Sequence, residues 1–258
     1  MTSYRDNTLL RMRANDAGFN LPVPAGSGWL GFGAAGNLAS VWLAGDGNNH
    51  IVASGPWALV AEVGPVDGCA SLEGPMPDGA AAAWACHGDR ALDALLRRIA
   101  LLGQVLPNQP QQRWEQEVEA TLASMPGPRT TERVAEVKQR VGQDLFRDAL
   151  EKYWGGRCAI TGVSQRELLR ASHAKPWKDC TDAERLDVHN GLLLAAHLDA
   201  AFDAGLIGIG GGGEVLVSER LGELERRVLG LTGSHSIQGL RAGHGPYLEW
   251  HRIRMVAR

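Results

Sequence analysis

Read as a pattern of apolar and polar positions, the chain changes character partway along. A short polar stretch around Thr8–Ala17 predicts a helix. Short apolar runs framed by glycine and proline follow it: GWLGFGA from Gly28, LASVWLAG from Leu38, HIVASG from His50 and WALVAEVG from Trp57. The pieces between them, such as GDGNN from Gly45, have turn chemistry. Alternation is only partial, so the runs predict a small β-rich module without fixing its strand count. Helical spacing then takes over. Leu92, Leu95, Leu96, Ile99 and Leu102 predict a helix from about Asp89 to Leu106, broken by PNQP at Pro107. Trp114, Val118 and Leu122 predict a second, from about Gln111 to Ser124.

MPGPRT, from Met125 to Thr130, holds two prolines and a glycine in six residues between two helical segments and predicts a domain boundary. Beyond it, Val134, Val137, Val141, Leu145 and Ala149 form the stripe of a long helix. Thr130 or Thr131 is placed to cap it and Gly155-Gly156 to end it. A β-like run, LLRASH, ends at His173. A polar loop containing Pro176 leads to a second apolar run, NGLLLAA from Asn190. A short helix is expected from about Ala196 to Ala204, stopping at Gly205. LIGI and EVLVS, joined by GGGG at Gly210, read as a hairpin.

Composition adds bounds. With 258 residues and 44% apolar content the chain can bury a core, and no run of about 18 apolar residues predicts a membrane span. The opening MTSYRDNTLLRMRAND carries charge where a signal peptide needs apolar residues, so a cytoplasmic protein is expected. Cys69, Cys86, Cys158 and Cys180 form no C-x-x-C pair, so structural zinc is not expected and the four read as thiols in a reducing compartment. The net charge of −3 is unevenly spread. Residues 1–125 hold 7 basic and 12 acidic side chains; residues 126–258 hold 19 and 17, including all four lysines. The imbalance suggests two domains with different tasks.

The order strand, loop, strand, short helix carries a constellation of chemistry-bearing residues. GRCAITG (Gly156–Gly162), RASHAKPW (Arg170–Trp177), ERLDVHNGLLL (Glu184–Leu194) and LDAAFDAGLI (Leu198–Ile207) resemble bacterial HNH endonucleases with an A-S-H-x-K-P-W signature. The resemblance runs from about Val134 onward and leaves the first half uncovered. It implies an HNH (ββα-metal) nuclease domain over 126–258, which together with the β-rich module and helical tail read over 1–125 makes an α+β protein. The implied reaction is divalent-metal-dependent hydrolysis of DNA phosphodiesters, with Mg²⁺ or Mn²⁺, in restriction or defence against foreign DNA.

By the same resemblance His173 is the general base, and Asn190 positions that base or helps hold the metal. The last motif position, on the helix, binds metal. The usual final histidine falls nine residues after the asparagine; here that residue is Asp199, while His197 falls at seven. At about 100° per residue the two point roughly 200° apart, so one of them is the expected metal ligand, with Asp199 favoured. Ser172 stands where many relatives place a metal-binding Asp or His. Arg170 and Lys175 flank His173 and are candidate phosphate binders, ahead by a little of a reading as solvated surface charges. Asp203 reads as a helix-ending residue. His189 reads as facing away, and His251 as packing against the domain body. Trp29, Trp42 and Trp57 read as core rather than base-stacking residues. Two other readings stay open: a ββα-fold DNA-binding protein with weakened catalysis, and a nuclease whose first half serves only oligomerisation. The sequence leaves the oligomeric state unsettled, a homodimer among the options.

Overall fold

The computed structural model describes residues 4–46, 49–106 and 109–256. The chain forms two compact units that divide after Leu106.

The first unit opens with α1 (Tyr4–Asp16) and continues through β1 (Leu21–Pro22), β2 (Leu30–Gly33), β3 (Ser40–Asp46), β4 (Asn49–Gly55), α2 (Trp57–Val63), β5 (Cys69–Leu72), β6 (Ala82–His87) and α3 (Asp89–Val105). The strands make a six-stranded antiparallel sheet in the order β1-β2-β3-β4-β6-β5. The leucine and isoleucine stripe of α3 is fully buried, as its 3.6-residue period requires. Of the turn expected at GDGNN, Gly47 and Asn48 lie outside the described residues; the strands pair on either side of it, Asp46 with Asn49.

Three features differ from the reading of the sequence. WALVAEVG is a helix, α2, which starts directly after Pro56. It buries Leu59, Val60 and Val63, spaced as one helical face. That spacing turns Trp57 outward at 69% exposure, whereas Trp42 is buried and Trp29 packs on its cluster. The strands β5 (CASL) and β6 (AAWACH) hold no Val, Ile or Thr, so their side chains give little strand signal.

The second unit comprises α4 (Gln109–Ser124), α5 (Thr131–Tyr153), β7 (Leu169–His173), α6 (Asp182–Leu186), β8 (Gly191–Ala195), α7 (Ala196–Asp203), β9 (Ile207–Ile209), β10 (Val215–Val217), α8 (Glu223–Val228) and α9 (Gly245–Val256). Thr130 caps α5 by accepting the Arg133 N–H. The expected boundary at Met125–Thr130 falls inside this unit, as the turn of a helical hairpin. Trp114, Val118 and Leu122 of α4 form one cluster with Val137 and Leu145 of α5 and Leu186 of α6. The Trp114 indole N–H donates to the Lys138 carbonyl at 2.9 Å. In PNQP, Pro107 and Asn108 lie outside the described residues, and α4 starts at Gln109.

The strands β7 and β8 pair antiparallel, with Ser172 opposite Leu192 and His173 opposite Gly191. All five residues of β8 are buried, which explains an apolar run without alternation. Gly191 is required by close approach: a Cβ there would meet the Phe146 ring at 2.4 Å. The chain then enters α7, which packs on both strands. Gly205, at φ +66°, ends it. Its N–H bonds the Phe202 carbonyl and the Leu206 N–H bonds the Ala201 carbonyl, the paired pattern of a left-handed helix stop. The β9–β10 hairpin forms as expected. His251 packs on the domain body, stacked on Phe202 at 3.7 Å with its Nε2 donating to the Phe202 carbonyl.

Candidate functional site

The end of β7, the face of α5 and one side of α7 enclose an open cleft of about 640 Å³. His173 and Asp199 both line it, as do Ser172, Asp203, Arg147, Arg170, Trp177 and Lys178. Of the residues singled out in the sequence, the cleft therefore brings together His173, Asp199, Arg170, Ser172 and Asp203. His197, Asn190 and Lys175 lie outside its lining.

His173 is held on three sides. Its ring stacks on Phe146, with centroids 3.7 Å apart and planes 13° from parallel. Trp177 meets it edge-on at 5.9 Å. Its Nε2 lies 3.0 Å from the Arg185 carbonyl. A carbonyl only accepts, so Nε2 carries the proton and Nδ1 keeps its lone pair. Burial pushes the imidazole below its usual range, and the Arg185 carbonyl, which favours the charged form, offsets only part of that. The ring is therefore neutral and basic at neutral pH.

Asp199 lies in the first turn of α7. The Ser172 hydroxyl donates to its Oδ1 at 2.7 Å, and Ser172 itself is buried. Ser172 thus meets the cleft through the carboxylate it orients. Asp203 lies one helical turn further along α7 and lines the same cleft. His197, two residues before Asp199, is exposed on another side of the helix.

Asn190 is fully buried. Its Oδ1 accepts the Lys175 N–H at 2.8 Å, and its Nδ2 donates to the carbonyls of Lys175 and Glu184 at 3.2 and 3.0 Å, and to Cys180 Sγ at 3.2 Å. It ties together the loop between His173 and Arg185. Lys175 makes a 2.7 Å ion pair with Glu184, whose own carboxylate closes the capping box at Thr181. The hydrogen bond raises the lysine's pKa and lowers the glutamate's. His189 lies outside the cleft, its Nδ1 against Asp187 Oδ1 at 3.0 Å.

The cleft has basic groups that sequence reasoning missed. Lys178 stands exposed three residues after Lys175, within the tight turn at Trp177–Asp179. Arg147 comes from α5, and Arg254 from α9, where it lies over the Trp250 ring at 4.0 Å. On α5, Gln143, Asp144, Phe146 and Arg147 share one face at helical spacing. That spacing was legible, but nothing in it connected α5 to a histidine 26 residues downstream. Among the described residues, no three His, Cys, Asp or Glu side chains converge as a metal cluster. Nor is any helix there long and apolar enough to cross a membrane.

Residues 158–210 match the model of the HNH endonuclease family. The matched segment takes in β7, the loop fixed by Asn190, β8, α7 and β9, and so holds His173, Ser172 and Asp199. The match falls in the second half of the chain, and a segment similar to this family suggests nuclease activity. No curated protein matches the chain.

Proposed function

We propose that the second unit is a divalent-metal-dependent endonuclease of ββα-metal architecture that hydrolyses DNA phosphodiester bonds in the cleft between α5, β7 and α7. The observation that carries this reading is the pairing of His173 and Asp199 in one cleft: an imidazole held neutral and oriented, beside a carboxylate fixed by Ser172. His173 Nδ1 accepts the proton of the attacking water, while the Nε2–H bond to Arg185 keeps the tautomer and holds the ring in place. Arg170, Arg147 and Lys178 neutralise and position the phosphate backbone.

The donor set suits a hard cation. Magnesium is held by one or two carboxylates, with the rest of its shell drawn from water and substrate phosphate. Asp199 would hold it, with Asp203 as the second carboxylate of the cleft. A bound divalent ion supplies charge neutralisation at the phosphate and the leaving oxygen.

The direct test is a nicking assay of the full chain on supercoiled plasmid with Mg²⁺, Mn²⁺ or EDTA. Metal-dependent nicking is expected. DNA binding without cleavage under every metal condition would favour the reading as a binding protein with weakened catalysis.

The two α7 candidates separate by calorimetry with Mn²⁺. Asp199→Ala is expected to weaken binding at least tenfold, and His197→Ala to leave it within about twofold, since a single ligand carboxylate dominates so sparse a site. Equal, small effects from both would place the metal elsewhere.

We further propose that the acidic first unit selects the target in a restriction or defence role, since the HNH segment handles phosphate chemistry and offers little base readout. A fragment of residues 107–258 is expected to fold and nick DNA but to lose the full chain's preference among modified and unmodified DNAs. A fragment starting at 126 lacks Trp114, Val118 and Leu122, and is expected to be markedly less stable by circular dichroism melting. A folded 107–258 fragment with unchanged preference would rule out the first unit as selector; loss of dimer mass in that fragment would mark it as an oligomerisation module.

A further inference from the structure

Outside the cleft, the first unit places two thiols against each other. Cys69 on β5 and Cys86 on β6 are directly opposed in an antiparallel pair. Their sulfurs are 3.1 Å apart. The next rung of the ladder carries the backbone bond from the His87 N–H to the Gly68 carbonyl at 2.9 Å. In the alternation of antiparallel rungs, that puts the cysteines at a non-hydrogen-bonded position, where facing Cα atoms approach to about 4.5 Å. This falls within the roughly 4.4–6.8 Å that a disulfide spans. Both residues are free thiols. Cys86 is buried, whereas Cys69, on the edge strand, is partly exposed.

We infer that Cys69 and Cys86 form a reversible redox modification site, whose co-substrate is a low-molecular-weight disulfide such as oxidised glutathione. The accessible Cys69 thiolate attacks one sulfur of that disulfide, forming a mixed disulfide and releasing one glutathione thiolate. The Cys86 thiolate then attacks Cys69 Sγ, forms the intramolecular bond and releases the second glutathione. Two protein thiols are oxidised, one glutathione disulfide is reduced to two thiols, and the two protons pass to the departing thiolates. Burial holds both cysteines above the usual thiol range, so the exchange proceeds slowly near neutral pH. The product ties the edge strand β5 to its neighbour without a change of register.

The test uses the full chain, incubated with oxidised glutathione, quenched by alkylation in acid-stopped denaturant so that buried thiols also react, and digested for mass spectrometry. A Cys69–Cys86 linked peptide is expected, reverting to two alkylated thiols after dithiothreitol, with Cys158 and Cys180 remaining alkylatable throughout. In Cys86→Ala the mixed disulfide should instead accumulate at Cys69, which keeps the proposal testable whatever that variant does to stability. A stable glutathione adduct on Cys69 in the unaltered chain would overturn it. So would full alkylation of both cysteines under conditions that oxidise a model dithiol peptide. Neither result depends on nuclease activity.

Discussion

His173→Ala is expected to lower DNA cleavage by about 10²–10⁴-fold while the second unit stays folded and still binds DNA. The imidazole is the group in the cleft with both a usable lone pair and a pKa below the ordinary histidine range. The sign of the pH dependence follows from that. The proposed base must be neutral to accept a proton, so kcat/KM should fall as pH drops through the imidazole's pKa, with a midpoint below the usual value of about 6.5. Between that midpoint and neutral pH the rate should be flat with respect to this group. The ring also packs on Phe146, and a second substitution separates that packing from the chemistry. His173→Asn retains a donor for the Arg185 carbonyl but has no base to offer; it should lose activity equally and keep the melting temperature more nearly intact. Near-normal nicking by either variant would remove His173 from the chemistry.

The parts of this site that were legible in the sequence are those governed by local rules. LLRASH and NGLLLAA became β7 and β8 to within a residue, because an apolar run bounded by polar turns is a local signal. The short helix α7 stopped where Gly205 allows a left-handed residue. The opposed directions of His197 and Asp199 followed from helix geometry, and the fold places Asp199 in the cleft and leaves His197 exposed. What the sequence did not yield depends on contacts between distant segments. Phe146 under His173 and the α4–α5 cluster that moves the unit boundary to Leu106 are such contacts. Lys175 and Lys178 have the same charge and nearly the same position, and a single tight turn together with Glu184 decides which one reaches the cleft. In the first unit, β5 and β6 lack β-branched residues and carry too little side-chain preference to be told from a loop.

Asn190→Ala is expected to destabilise the second unit by about 3 kcal/mol or more, since each buried polar group left unpaired costs roughly 1–3 kcal/mol. Truncation would orphan the Lys175 N–H and the Lys175 and Glu184 carbonyls at the ends of the loop behind His173. Arg185, whose carbonyl fixes the imidazole tautomer, directly follows Glu184. We propose that Asn190 is a positioning residue: its side chain is fully buried and each of its polar atoms is committed to that loop. A ligand role and a positioning role make different predictions. If Asn190 bound metal directly, Asn190→Ala would lose Mn²⁺ affinity with little change in the urea midpoint. As a positioner, its loss should lower the urea midpoint, reduce kcat more than it raises KM, and move the acid limb of the pH profile as the Arg185 carbonyl shifts away from Nε2. Asn190→Asp keeps the acceptor for the Lys175 N–H but loses both donors and buries a charge, so it should rescue little of the stability. An Asn190→Ala protein with an unchanged urea midpoint and an unchanged acid limb would refute the positioning role.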